Sequence, residues 1–248
     1  MNFLPRALFL LADSQLLFWR TDGDCFSNLL REAVDKRYPK AAYIGASNGD
    51  LPEFYDLFQA AMNNIGISDC RMIRSGLQEQ DLEYLWAADI ILLAGGAVER
   101  GWRFFEQTGL GARIIKSYYE GAVLVGVSAG AIQLGLCGWP DANLPDDNPI
   151  HTFKLVPFII GVHEEAGGWR TLKKALRSCG GTTRGLGIPA GGGLIFYDDH
   201  SFRPLRYPVH EFVLREGAVA HSLLGLKPAS QSGRCAGGES MEESSEPQ

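Results

Sequence analysis

The stretch Ala122-Val123-Leu124-Val125-Gly126-Val127-Ser128-Ala129-Gly130-Ala131 decides how this chain is read. A short run that is apolar at every position predicts a strand buried on both faces, as in a parallel sheet between two layers of helices. The G-x-S-x-G that follows places Ser128 where the strand turns into a helix. Such a turn holds a hydroxyl out of the sheet and needs small flanking residues so that neighbouring backbone can pass close by. Ser128 is therefore the candidate nucleophile, and the free amide of Ala129 is the candidate first donor to an oxyanion.

Outward from this point, apolar runs alternate with amphipathic ones. Strands are expected at Ala7–Ala12, Ala41–Ala46, Cys70–Arg74, Asp89–Ala94 and Ala122–Val127, and helices near Ser27–Arg37, Glu53–Ile65, Gln80–Trp86 and Ala112–Glu120. This period predicts β-α-β units around a parallel sheet, an α/β fold. Two strands end in glycine-bearing turns, Ile44–Asp50 and Leu93–Gly96. In open α/β sheets, turns at the carboxyl ends of strands line the ligand crevice.

Beyond Ala131 the pattern loosens. Residues from Cys137 to Thr152 carry prolines 140, 145 and 149 and aspartates 141, 146 and 147, which exclude a helix interior. A helix is expected from Gly168 to Ser178, after which Gly180, Gly181, Gly185 and Gly187 break the pattern. Gly192–Tyr197 and His210–Arg215 read as further strands on the same sheet. Pro228–Gln248 has no aromatic residue and is rich in Ser, Glu and Gly, so a disordered tail is expected there, leaving residues 1–227 as a single domain.

Composition narrows the function. The 248 residues are 46% hydrophobic and 21% charged, and a chain of this length buries a substantial core. The formal net charge of −6, of which the tail supplies one Arg against four Glu, argues against a nucleic-acid partner, since no cluster of Lys and Arg is present. Five scattered cysteines without a C-x-x-C pair suit a reducing compartment and offer neither a disulfide framework nor a zinc ribbon. Gly121–Pro140 is uncharged over twenty residues, but its glycines, Ser128, Gln133 and Trp139-Pro140 make a poor lipid helix. With only six apolar residues after Arg6, no signal peptide is expected. A cytoplasmic protein, acting on a small peptide without nucleic acid or membrane and with a homodimer possible, is the expectation.

A serine nucleophile needs a base. His163 ends the apolar run from Leu155 to Val162, where a strand would deliver it to a sheet edge. His151, in the proline-rich loop, is the second choice, and His200, His210 and His221 read as surface or structural residues. His163-Glu164-Glu165 lacks the H-E-x-x-H spacing of a metal site, since position 167 is Gly. Neither a metal nor a cofactor is expected. Arg170, Lys173 and Lys174 read as a solvated helix face.

Together, Gly-Val-Ser128-Ala-Gly-Ala, Leu93-Ala94-Gly95-Gly96, Leu155-Val156-Pro157-Phe158 leading to His163, and Gly185-Leu186-Gly187-Ile188-Pro189 resemble the dipeptidase E and cyanophycinase family of serine peptidases. The resemblance covers most of residues 7–215. It implies a flavodoxin-like, three-layer, class I glutamine amidotransferase-like sandwich and hydrolysis of small Asp-containing peptides through an acyl-enzyme, with no cofactor. It also implies Ser128 as nucleophile, His163 as general base and the amides of Gly96 and Ala129 as oxyanion hole.

The chain departs from the family at Ala97, where relatives usually carry Asn, at Glu164, often aromatic, and at Ala190, commonly Glu. For the residue that orients the histidine, counting back from His163 gives Asp141, matching the prolines gives Asn143, and Asp146 and Asp147 are within reach. An Asn in that role would cost on the order of 10⁴ in rate through the wrong imidazole tautomer. Two other readings use the same residues: a weakly active or non-catalytic relative that binds an acidic peptide or amino acid, and an α/β-hydrolase in which His210 or His221 is the base.

Overall fold

The computed structural model describes residues 7–21, 24–139, 148–179 and 183–225. The chain enters through β1 (Leu8–Leu11), a short antiparallel pair, β2 (Arg20–Thr21) and β3 (Asp24–Cys25), and α1 (Phe26–Glu32). Three units follow: β4 (Lys40–Ile44) with α2 (Pro52–Asn63), β5 (Asp69–Ile73) with α3 (Glu79–Ala87), and β6 (Ile90–Leu93) with α4 (Val98–Thr108) and α5 (Leu110–Tyr119). β7 (Val123–Val127) runs into α6 (Ala129–Leu134), and β8 (Cys137–Gly138) pairs with β9 (Ile150–His151). Then come β10 (Phe158–Val162), α7 (Arg170–Cys179), β11 (Arg184–Ile188), β12 (Gly193–Phe196), β13 (Phe202–Leu205), β14 (Val209–Arg215) and β15 (Ala218–Leu224).

Seven strands form the main sheet in the order β13-β12-β1-β7-β6-β4-β5. β1, β7, β6, β4 and β5 are mutually parallel, and β12 and β13 extend the β1 edge antiparallel. Side chains alternate across each strand: Leu8, Leu10, Ile91, Leu93 and Leu124 face a layer that includes Phe104 and Ile114. Phe9, Leu11, Ile90, Leu92 and Val125 face the layer of Phe26 and Phe58. Both faces are covered, so β1, β6 and β7 are buried at every residue and read as unbroken apolar runs. The result is a three-layer α/β sandwich of the flavodoxin-like kind. The five strands expected up to Val127 all form, with ends within two residues of those expected.

His210–Arg215 does not join this sheet. As β14 it belongs to a second sheet in the order β10-β11-β14-β15, parallel between β10 and β11 and antiparallel elsewhere. Only Val209 and Phe212 of β14 are fully buried; three positions apart, they point to opposite faces, Val209 into the core shared with the main sheet and Phe212 toward α7. Gly185 and Gly187, expected to interrupt regular structure, lie inside β11. They seat α7 and the residue before it: a Cβ at Gly185 would lie 3.0 Å from the Leu172 and Leu176 side chains, and one at Gly187 2.8 Å from the Trp169 ring. Gly180 and Gly181 lie outside the described residues, as does the segment 228–248.

α4 was not foreseen, although Val98, Gly101 and Phe105 follow helical spacing on its buried face. Gly101 weakens the helical signal, and its reason is tertiary, because a Cβ there would lie 2.1 Å from Ser47 Oγ. The second sheet packs on the main one through Phe158, Ile160, Val162, Leu186 and Ile188, which share a core with Leu194 and Phe196. The Phe158 ring meets Phe196 and Phe202 edge-on, at 6.1 and 5.6 Å between centroids. Among the described residues no helix is long and apolar enough to cross a membrane, and Gly121–Trp139 is divided among β7, α6 and β8.

Candidate active site

Ser128 sits between β7 and α6 with φ 50° and ψ −110°, a conformation that costs a non-glycine residue about 1–3 kcal/mol. The surroundings enforce it. Its N–H donates to the Leu11 carbonyl at 2.9 Å, and its own carbonyl accepts from the Ile132 N–H at 3.1 Å, so the turn is tied to β1 on one side and α6 on the other. The flanking glycines are obligatory on steric grounds. A Cβ at Gly126 would come within 2.6 Å of the backbone at Gly130 and Ala131, and one at Gly130 within 2.1 Å of the Leu93 carbonyl oxygen.

The turn after β6 reaches the same place. Gly96 has φ 130°, and a Cβ there would collide with the Ser47 carbonyl oxygen at 2.2 Å. The neighbouring Ala97 N–H donates to that carbonyl at 2.9 Å, which fixes the Gly95-Gly96 loop against residues 46–48. Gln133, fully buried on α6, donates from Nε2 to Ser47 Oγ at 3.3 Å and to the Val98 carbonyl at 3.1 Å. Both glycine-bearing turns expected at the crevice are therefore present there and braced against each other.

His163 leaves the end of β10 with φ 42°, a second left-handed non-glycine residue at the site. Its N–H donates to the Ile188 carbonyl at 3.0 Å, continuing the rungs between β10 and β11. The ring is exposed, and Nε2 stands 2.9 Å from Ser128 Oγ. The structure thus joins the two residues that the sequence singled out, 35 positions apart. His210 and His221 instead pair with each other, Nδ1 to Nε2 at 3.0 Å, and neither lines the cavities that Ser128 borders. His151 lies on β9 opposite Cys137, outside the cavities that Ser128 borders.

Asp141, Asn143, Asp146 and Asp147 lie outside the described residues. Among the described residues no carboxylate is hydrogen-bonded to the His163 ring, and no cluster of three metal-ligating side chains occurs. Glu164 and Glu165 are committed elsewhere. Glu164 accepts from the Thr171 and Leu172 N–H groups at 3.3 Å each and caps α7, and Glu165 accepts from the Ala190 N–H at 3.1 Å. Lys173 and Lys174 cover the rings of Phe212 and Trp139, at 5.2 and 4.6 Å.

Ser128 and Gly96 border two cavities. One, of about 220 Å³, is walled by His163, Glu164, Trp139, Leu172 and Ala175. The other, of about 240 Å³, is walled by Asp13, Tyr43, Asn48, Phe54 and Phe58. Asp13, which interrupts the first apolar run, accepts from the Gln15 N–H at 2.9 Å and the Gly191 N–H at 2.6 Å and so fixes the rim of the second cavity. Tyr43 OH accepts from Asn48 Nδ2 at 2.8 Å, and burial pushes its pKa up to about 12. Neither Asp13 nor Tyr43 stood out in the sequence, because their roles come from residues 178 and 5 positions away.

A strained serine hydrogen-bonded to a histidine is the pairing that a serine hydrolase uses. Comparison with known families is more specific. The chain belongs to peptidase family S51, whose model matches residues 8–203, and is a serine peptidase of the dipeptidase E type. Its fold is similar to that of a peptidase from an acI-B1 actinobacterium (TM-score 0.68, 16% identity, covering 92% of this chain and 97% of that one). It is also similar to a candidate peptidase E protein from Listeria monocytogenes EGD-e (TM-score 0.53, 14% identity, 89% of this chain and 100% of that one). No curated protein sequence matches the chain.

Proposed function

We propose that the protein hydrolyses small Asp-containing peptides through an acyl-enzyme, with Ser128 as nucleophile and His163 as general base. The carrying observation is the 2.9 Å contact between Ser128 Oγ and His163 Nε2 at a serine whose backbone is held in a strained turn. The serine hydroxyl attacks the peptide carbonyl while Nε2 accepts its proton, and the amides of Gly96 and Ala129 receive the developing oxyanion. Nε2 then returns the proton to the departing amine, and water, deprotonated by the same nitrogen, releases the acyl group. Asp141 is our choice for the residue that orients His163, and the cytoplasm is the compartment that the scattered cysteines suggest. Two cavities meeting at Ser128 suit a peptide with a residue on each side of the scissile bond.

The test is hydrolysis of aspartyl dipeptides, together with labelling by a fluorophosphonate. Ser128→Ala should lose labelling and His163→Ala most of it. Turnover should fall by about 10⁴-fold or more in each. Equal labelling of wild type and Ser128→Ala overturns the assignment. Labelling without hydrolysis of any aspartyl dipeptide overturns the substrate and leaves the nucleophile standing.

A further inference from the structure

A second pair of reactive groups lies apart from Ser128 and His163. Cys137, on β8, and Cys179, the last residue of α7, bring their sulfurs to 3.3 Å although 42 positions separate them. Both are free thiols. A disulfide holds its sulfurs at about 2.05 Å, so closure requires a sulfur displacement of only about 1.2 Å. Their surroundings differ: Cys137 is buried and lines the cavity of His163, whereas Cys179 is exposed. An accessible thiol beside a sheltered one is the arrangement in which the first meets an oxidant and the second resolves the product.

We propose that Cys137 and Cys179 are a disulfide-forming site, closed by low-molecular-weight disulfides such as oxidised glutathione. The Cys179 thiolate attacks one glutathione sulfur, the S–S bond of the oxidant breaks, and one glutathione leaves as thiolate. Cys137, deprotonated, then attacks Cys179 Sγ in the mixed disulfide and expels the second glutathione. Two protein thiols are oxidised, one glutathione disulfide is reduced to two thiols, and the two protons leave with them. Burial, reinforced by Cys179 alongside, pushes the Cys137 thiol up to about 12. The resolving step needs the Cys137 thiolate and so quickens as pH rises. The new bond ties the end of α7 to β8, two walls of the cavity beside His163, and encloses His163 in the closed loop.

The full chain, incubated with oxidised glutathione at pH 8, alkylated and digested, tests this by mass spectrometry. A peptide pair joined through Cys137 and Cys179 is expected, absent after dithiothreitol and absent in C179S. A closed loop of this length should also raise Tm by several degrees. A stable glutathione adduct on Cys179 with Cys137 still alkylated overturns the proposal, as does a link from either residue to another cysteine or no link at all. C179S alters an exposed residue and keeps the fold, and the wild-type map stands without it should C137S fail to fold.

Discussion

Gly130 is pressed against the backbone of β6: a methyl group on its Cα would lie 2.1 Å from the Leu93 carbonyl oxygen. Neither partner is a flexible side chain that could yield. Gly130→Ala is expected to destabilise the fold by about 1–3 kcal/mol or more, a fall in Tm of roughly 2–4 °C per kcal/mol. Gly76→Ala, at a position with open space around it, should leave Tm unchanged. Thermal melting of the two variants side by side checks the contrast.

Gln133 joins three parts of the site from the inside, through Ser47 Oγ and the Val98 carbonyl. Gln133→Leu keeps the volume and removes the buried Nε2 donor from both partners. A loss of about 1–3 kcal/mol is expected. Because Ser47 also holds Ala97 beside Gly96, kcat should fall more than KM rises. Parallel melting and steady-state kinetics separate the two effects.

Glu164 supplies the acceptors that the first turn of α7 lacks. Glu164→Ala should cost about 1 kcal/mol, and Glu164→Gln, which keeps one acceptor, less. If Glu164 were a metal ligand or a catalytic acid, the Gln variant would be as impaired in turnover as the Ala variant. Stability and turnover of both, with and without a chelator, decide it.

His210 has its pKa held below its ordinary value of 6.5, first by burial and then by His221, with Glu165 opposing. The unfolded chain therefore binds a proton at this position more readily than the folded one. Stability should rise with pH through the window between the lowered pKa and 6.5 and be lost as pH falls through it. His210→Phe should flatten this dependence while leaving Tm at pH 8 nearly unchanged. A melting series from pH 5 to pH 8 on both proteins tests the sign.

The parallel half of the fold was legible because β1, β6 and β7 are buried on both faces and so announce themselves as apolar runs. β11 did not, since Gly185 and Gly187 are chosen for the helix lying over them, a tertiary reason that leaves no local trace. His210–Arg215 was legible as a strand but not as part of a separate sheet, because β pairing is decided by distant segments. At the site, Ser128 stood out through the G-x-S-x-G that follows an apolar run, and His163 through the strand that ends at it. Gln133, Asp13 and the Cys137–Cys179 pair act only through contacts across the chain.

The smaller sheet carries His163 and the larger carries Ser128, so the 2.9 Å contact between them is also a joint between two bodies. The other end of that joint is the ring cluster of Phe158, Phe196 and Phe202. Turnover is then a strain gauge for the seam. Sliding β10 by one ångström against its neighbours, by trimming Phe158 or by wedging a molecule between the sheets, would slow the chemistry about a hundredfold while the fold still held. Inhibitors of such an enzyme need not touch its serine.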